Sequence, residues 1–189
     1  MHLPLLFRCC LAAGLLLPLV LLMGADEPLV SGRAVGDKMP QFYVRAVTGP
    51  LMNRSVCYVC RNGERPVAMV FLRSLGPNVD ALLKDIDQAV DRNRAAGLRG
   101  VGILVGDDQR DAVSKLQTLS FDNMLTLPLA VAPSQIELAT NQNLHSDADV
   151  TVVLYRKLQV ESRFAFRQGE LDKTGIERVH AAIEKLLVE

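Results

Sequence analysis

Apolar and polar positions follow two different periods along this chain, and the switches between them mark out its elements. Pro66 to Leu72, PVAMVFL, is a nearly unbroken apolar run. It is too short for a buried helix and rich in strand formers, which fits a central strand covered on both faces. Gly100 to Val105 and Leu127 to Ala132 repeat the pattern. Between the first two, Val79, Leu82, Leu83, Ile86, Ala89 and Val90 recur at helical spacing, with Asp80, Lys84, Asp85, Asp87 and Arg92 opposite. Pro77 and Asn78 open this helix and Gly97 closes it. Asp107 to Leu119 predicts a shorter helix, opened by two acids that suit the positive end of a helix dipole. Pro133-Ser134 starts another, which fades into the polar stretch Thr140 to Asp149. Val150 to Tyr155 and Val160 to Phe166 flank a short turn at Arg156 to Gln159 and predict an antiparallel pair. The last helix, Leu171 to Leu187, carries Ile176, Val179, Ile183, Leu186 and Leu187 on one face.

Upstream, Phe42 to Ala46 predicts a short strand, Gly49-Pro50 a turn, and Ser55 to Arg61 a strand or tight loop. Asn62-Gly63 predicts a hairpin turn, because both residue types favour positive φ. Asp26 to Gly36 is polar and without periodicity, which reads as a mobile lead-in. The order is an N-terminal β-hairpin extension followed by β-α-β-α-β-α-β-β-α. Such alternation predicts one α/β domain over residues 37–189, with a central mixed sheet flanked by helices.

The N-terminus reads as an address. Leu11 to Met23 is an apolar run, preceded by Arg8 and followed by the small pair Gly24-Ala25 and the polar Asp26-Glu27. That layout predicts a secretory signal peptide over residues 1–25, then a flexible lead-in over 26–36. The run is shorter than the roughly 20 residues of a spanning helix, and Pro18 interrupts it; an uncleaved anchor is the alternative. No later segment is apolar enough to insert, so the expectation is a secreted or periplasmic protein with no membrane insertion after cleavage.

With 21 basic and 21 acidic residues the formal net charge is zero, which removes the electrostatic footprint of a nucleic-acid binder. Cleavage after Ala25 leaves two of the four cysteines, Cys57 and Cys60, and two of the three histidines, His145 and His180. In an oxidising compartment a lone pair of nearby cysteines favours a disulfide over free thiols.

The order of elements resembles the thioredoxin fold in the extended form used by peroxiredoxins and thiol-specific antioxidant proteins. Val35-Gly36-Asp37-Lys38-Met39-Pro40-Gln41-Phe42, followed by Thr48-Gly49-Pro50, is similar to that family's opening segment. Pro66 to Leu72 resembles the strand that leads into its active site, and the likeness runs over residues 35–188. The resemblance implies a Cys-Gly-Pro-Cys or a peroxidatic cysteine just after this strand. The chain has Leu75-Gly76-Pro77-Asn78 there, with no cysteine in the segment. It also implies a cis-proline before a later strand, where Asp149-Val150-Thr151 stands instead. A trans bond is expected before Val150, because a non-proline cis bond costs about 3–4 kcal/mol. Leu and Asn cannot supply an activated thiolate, so ordinary peroxidase or thioredoxin chemistry is not expected at that place. A groove around Leu75, Gly76, Pro77, Asn78, Val150 and Thr151 is left as a candidate contact surface.

Cys57-Tyr58-Val59-Cys60 lies before the central strand and matches no active-site position of the family. In a regular strand residues three apart point to opposite faces, so the pair meets only where the backbone turns. Three readings stand. The pair is a structural disulfide bracing the hairpin, an exchangeable dithiol whose thiolate Arg61 or Arg65 favours, or half of a metal site. A closed zinc site wants four ligands, so His145, His180 or another subunit would have to complete it. Cys60 is followed by Arg61 rather than His, so the haem-attachment motif is absent. Copper-handling proteins of similar fold carry a loop histidine comparable to His145, but together with the cysteines missing here. His145 otherwise reads as an exposed loop residue and His180 as a boundary residue on the last helix. Ser74 lacks a nucleophile-elbow context, and Gly100-Val101-Gly102 reads as a strand packed closely against a helix.

The functional expectation is a non-catalytic extracytoplasmic binding or scaffold module with an unidentified protein partner. The alternatives are a thiol–disulfide oxidoreductase using Cys57 and Cys60, and a metal-handling protein. No cofactor is called for.

Overall fold

The computed structural model describes residues 28–105, 109–132 and 135–188. At its centre, β3 (Val67–Leu72) is buried along its whole length. It pairs parallel with β4 (Arg99–Leu104) on one side and antiparallel with β6 (Val150–Arg156) on the other. β4 pairs parallel with β5 (Leu129–Val131), and β6 pairs antiparallel with β7 (Gln159–Phe166). β1 (Val44–Ala46) pairs antiparallel with both β5 and β2 (Ser55–Val56), giving a seven-stranded mixed sheet in the order β2-β1-β5-β4-β3-β6-β7.

Side chains alternate across a strand, and β3 divides accordingly. Ala68, Val70 and Leu72 enter one core with Leu82, Leu83 and Ile86 of α2 (Val79–Arg92), Leu116 of α3 (Gln109–Asp122), and Val179 and Ile183 of α5 (Lys173–Val188). Val67, Met69 and Phe71 enter the other, with Met39, Tyr58 and Val59 of α1 (Tyr58–Asn62), and Leu138 of α4 (Gln135–Gln142). The predicted α/β order after the hairpin therefore stands. The glycines of β4 are close approaches, as their pattern predicts: a Cβ at Gly102 would lie 2.8 Å from Leu129 Cδ2.

Two expectations change. Asn62-Gly63 does not form a hairpin turn. The N-terminal hairpin is made earlier, by Val44 opposite Val56 and Arg45 opposite Ser55. Gly63, at φ 57, instead ends α1, its N–H bonding to Val59 O at 3.1 Å. The same positive-φ preference serves either a hairpin turn or a helix end. Burial of Tyr58 and Val59 decides for the helix.

The lead-in is also more fixed than its lack of periodicity predicts. Ser31 is 1% exposed; its hydroxyl meets Thr151 Oγ1 at 2.7 Å and accepts the His145 N–H at 3.0 Å. Gly32 donates to Asn143 O, Arg163 donates to Gly32 O, and Gly36 donates to Val160 O. These are backbone and hydroxyl contacts, which hydrophobic periodicity does not report. The predicted acids Asp107 and Asp108, and Pro133-Ser134, lie outside the described residues, as does the apolar run of residues 11–23. Among the described residues no helix is long and apolar enough to cross a membrane.

Candidate functional site

At the C-terminal end of β3, where the family resemblance implies a reactive cysteine, the chain builds a closed polar joint. Arg73 N–H donates to Asp149 O at 2.8 Å, tying the end of β3 to the segment before β6. The Arg73 guanidinium donates to His145 O at 3.1 Å. Ser74 Oγ donates to Asp149 Oδ2 at 3.0 Å, and a Cβ at Gly76 would lie 3.3 Å from that same oxygen. Asn78 adopts left-handed backbone at φ 64, and its amide donates to Leu171 O at 2.8 Å. No peptide bond among the described residues is cis, so the bond before Val150 is trans.

The candidate groove divides. Leu75 and Gly76 line a cleft of about 500 Å³ together with Val79, Ser114, Lys115 and Leu119. Val150 and Thr151 do not belong to it, being 1% and 2% exposed. Val150 is paired between Leu72 and Phe166, and the Thr151 hydroxyl is taken by Ser31. The lead-in covers Thr151 on one face and the helical core covers Val150 on the other, which is why the groove does not extend there. Pro77 and Asn78 are exposed beside the cleft rather than within its lining.

The cysteines stand where β2 gives way to α1. Cys57 caps α1 with extended backbone (φ −96, ψ 98), and one helical turn brings Cys60 back to it. The two Cα atoms are 5.3 Å apart and the sulfurs form a disulfide. Cys57 is 4% exposed and sits among apolar neighbours, its sulfur accepting the Cys60 N–H at 3.1 Å; Cys60 is exposed. Arg61 and Arg65 are exposed as well. Through the ladders Ser55 is in register with Arg45, Val131, Leu104 and Leu72, so Cys57 leaves β2 on the side of the sheet where β3 ends, displaced across the strands and not along them.

The combined metal site is not assembled among the described residues. His145 lies beside Arg73, with Nδ1 accepting the Asp147 N–H at 3.1 Å. Among the described residues no three His, Cys, Asp or Glu side chains are placed to hold a metal ion. His180 is a boundary residue, as its position predicts, with Nδ1 3.0 Å from Asp85 of α2.

Sequence reasoning missed a second cleft, of about 360 Å³, beside α1 and the start of β4. Tyr58, Arg61, Arg94 and Arg99 line it. Its residues come from separate elements, so no local pattern announces it. Burial pushes the Tyr58 phenol above its ordinary pKa, partly offset by the charge of Arg61.

Solved structures match this fold. A secreted Mycobacterium tuberculosis disulfide oxidoreductase homologous to E. coli DsbE matches with a TM-score of 0.58. Its identity is 13%, over 77% of this chain and 96% of that one. The fold is thioredoxin-like. A reduced 2-Cys peroxiredoxin of Plasmodium vivax shares the thioredoxin-like fold at 19% identity and a TM-score of 0.58, covering 81% of this chain and 83% of that one. Yeast mitochondrial 1-Cys peroxiredoxin does so at 10% identity and a TM-score of 0.62, covering 82% and 77%. No family model and no curated protein matches the sequence. In this thioredoxin-like domain the disulfide sits before the central strand, on α1, and not in the Leu75 to Asn78 segment.

Proposed function

We propose that this chain is an extracytoplasmic thiol–disulfide exchange protein whose working pair is Cys57–Cys60. The segment after β3, at Ser74 to Asn78, is non-catalytic and offers a contact surface for a protein partner. The extracytoplasmic part rests on the apolar run Leu11 to Met23 behind Arg8 and on a closed disulfide, which persists in oxidising compartments.

One observation carries the exchange reading over a structural staple: the bond links two residues of a single helical turn. A staple stabilises more the longer the loop it closes, and closing so short a loop is worth only about 2 kcal/mol in the chain-entropy account, against nearly 5 for a 100-residue loop. It does not join β1 to β2 or brace their hairpin. What it does provide is one accessible sulfur beside one enclosed sulfur, the arrangement an exchange cycle uses.

The test is the reduction potential of the pair, measured by alkylation and mass spectrometry across a thiol-buffer series. A reversible midpoint between about −120 and −270 mV is expected, together with insulin reduction that is lost in Cys57→Ser and in Cys60→Ser. A pair still oxidised below about −300 mV would overturn the exchange reading. That outcome would favour a binding module working through the Leu75–Gly76 cleft.

A further inference from the structure

The two sulfurs of this disulfide are not equivalent, and their order of access has a consequence. β2 ends on the buried Val56, and Cys57 continues inward from it, with its sulfur held by the Cys60 N–H at 3.1 Å. Val44, Val56, Tyr58 and Val59 belong to the same buried cluster as Cys57. Cys60 lies on the exposed side of the turn. It is followed by Arg61, whose carbonyl accepts Arg65 Nη1 at 3.4 Å. Among the described residues neither guanidinium is in an ion pair, so both present positive charge to an incoming thiolate. Exchange requires a thiolate to reach the sulfur it attacks, so access selects between the two.

We infer that Cys60 is the exchanging sulfur and Cys57 the internal, resolving one; this rests on the exchange reading above. A substrate thiolate forms a bond to Cys60 Sγ. The Cys57–Cys60 bond breaks, and its electron pair leaves on Cys57 Sγ, within reach of the Cys60 N–H. A second substrate thiolate then attacks the substrate sulfur of this mixed disulfide and releases Cys60 as thiolate. The substrate leaves as a disulfide, oxidised by two electrons. The protein is left as the dithiol after taking up two protons, the number the two substrate thiols gave up. In reverse, the Cys60 thiolate opens a substrate disulfide, and Cys57 resolves the intermediate.

The oxidised wild-type protein is incubated with reduced glutathione, quenched in acid, and its mixed disulfide mapped by peptide mass spectrometry. The adduct is expected on Cys60, at least about tenfold over Cys57, because the attacking thiolate must reach the sulfur it attacks. In Cys57→Ser, glutathione disulfide is expected to leave a stable adduct on Cys60. A fully reduced wild-type sample given sub-stoichiometric iodoacetamide is expected to label Cys60 first, which keeps the inference testable if the variant does not fold. Adduct on Cys57, or equal adduct on both, would overturn the inference while leaving thiol exchange intact. No adduct and no reduction of the pair would overturn both.

Discussion

Tyr155 is fully enclosed, and its hydroxyl makes no hydrogen bond; Asn62 lies near it without hydrogen-bond geometry. Burial therefore pushes the phenol well above its ordinary pKa, with Asn62 opposing weakly. A folded-state pKa raised in this way gives stability that is present below the unfolded value near 10 and lost as pH climbs toward the folded one. Urea midpoints of the oxidised protein are thus expected to fall between pH 8 and pH 11, and less steeply in Tyr155→Phe. At pH 7 that variant is expected to match the parent within about 1 kcal/mol, since it removes a hydroxyl without a partner. An unchanged pH slope in the variant would refute the assignment. At this scale the sequence was legible where spacing is covalent, as in the Cys57-x-x-Cys60 interval and the absence of cysteine from Leu75 to Asn78. It was silent on exposure: nothing local says that Cys57 is enclosed while Cys60 is open.

The five-residue α1 is far too short to stand alone, since isolated helices below about 12 residues are marginal in water. It stands here because Tyr58 and Val59 are buried, Cys57 caps its start and Gly63 closes its end. The disulfide adds little to that sum. Thermal melts with and without reductant are expected to show a folded protein in both cases. The midpoint should fall by about 4–8 °C, the size that about 2 kcal/mol produces in a domain of this length. Unfolding on reduction would show instead that the bond is a structural requirement. The misassigned turn has its origin at the same scale. Asn-Gly specifies a positive φ but not which element uses it.

Across the whole molecule, helices α2, α3 and α5 cover one face of the sheet, while α1, α4 and the lead-in cover the other. The lead-in is fastened to the segment before β6 and to β6 and β7 by Ser31, Gly32 and Gly36. A chain that begins at Lys38 is expected to unfold at lower urea than one that begins at Pro28. The loss should be about 2–4 kcal/mol, from several hydrogen bonds worth about 1 kcal/mol each. Equal midpoints would restore the mobile lead-in that the sequence predicts. The lead-in closes Thr151 and the core under α2 and α5 closes Val150, which confines the contact surface at this end to the cleft at Leu75 and Gly76.

The sequence by itself determined the patterned parts: β3, α2, β4, the β6–β7 pair and α5 follow from unbroken apolar runs or from apolar residues at helical spacing, which report burial within one element. It also determined what is chemically impossible at the Leu75 to Asn78 position, because no thiol is present there. Tertiary structure alone decided the rest. It decided that Asn62-Gly63 ends a helical turn, that Ser31 is buried, and that His145 sits beside Arg73. It also decided which sulfur faces water. Each of these depends on contacts between residues far apart in the chain, and local hydrophobic pattern carries no information about such pairs.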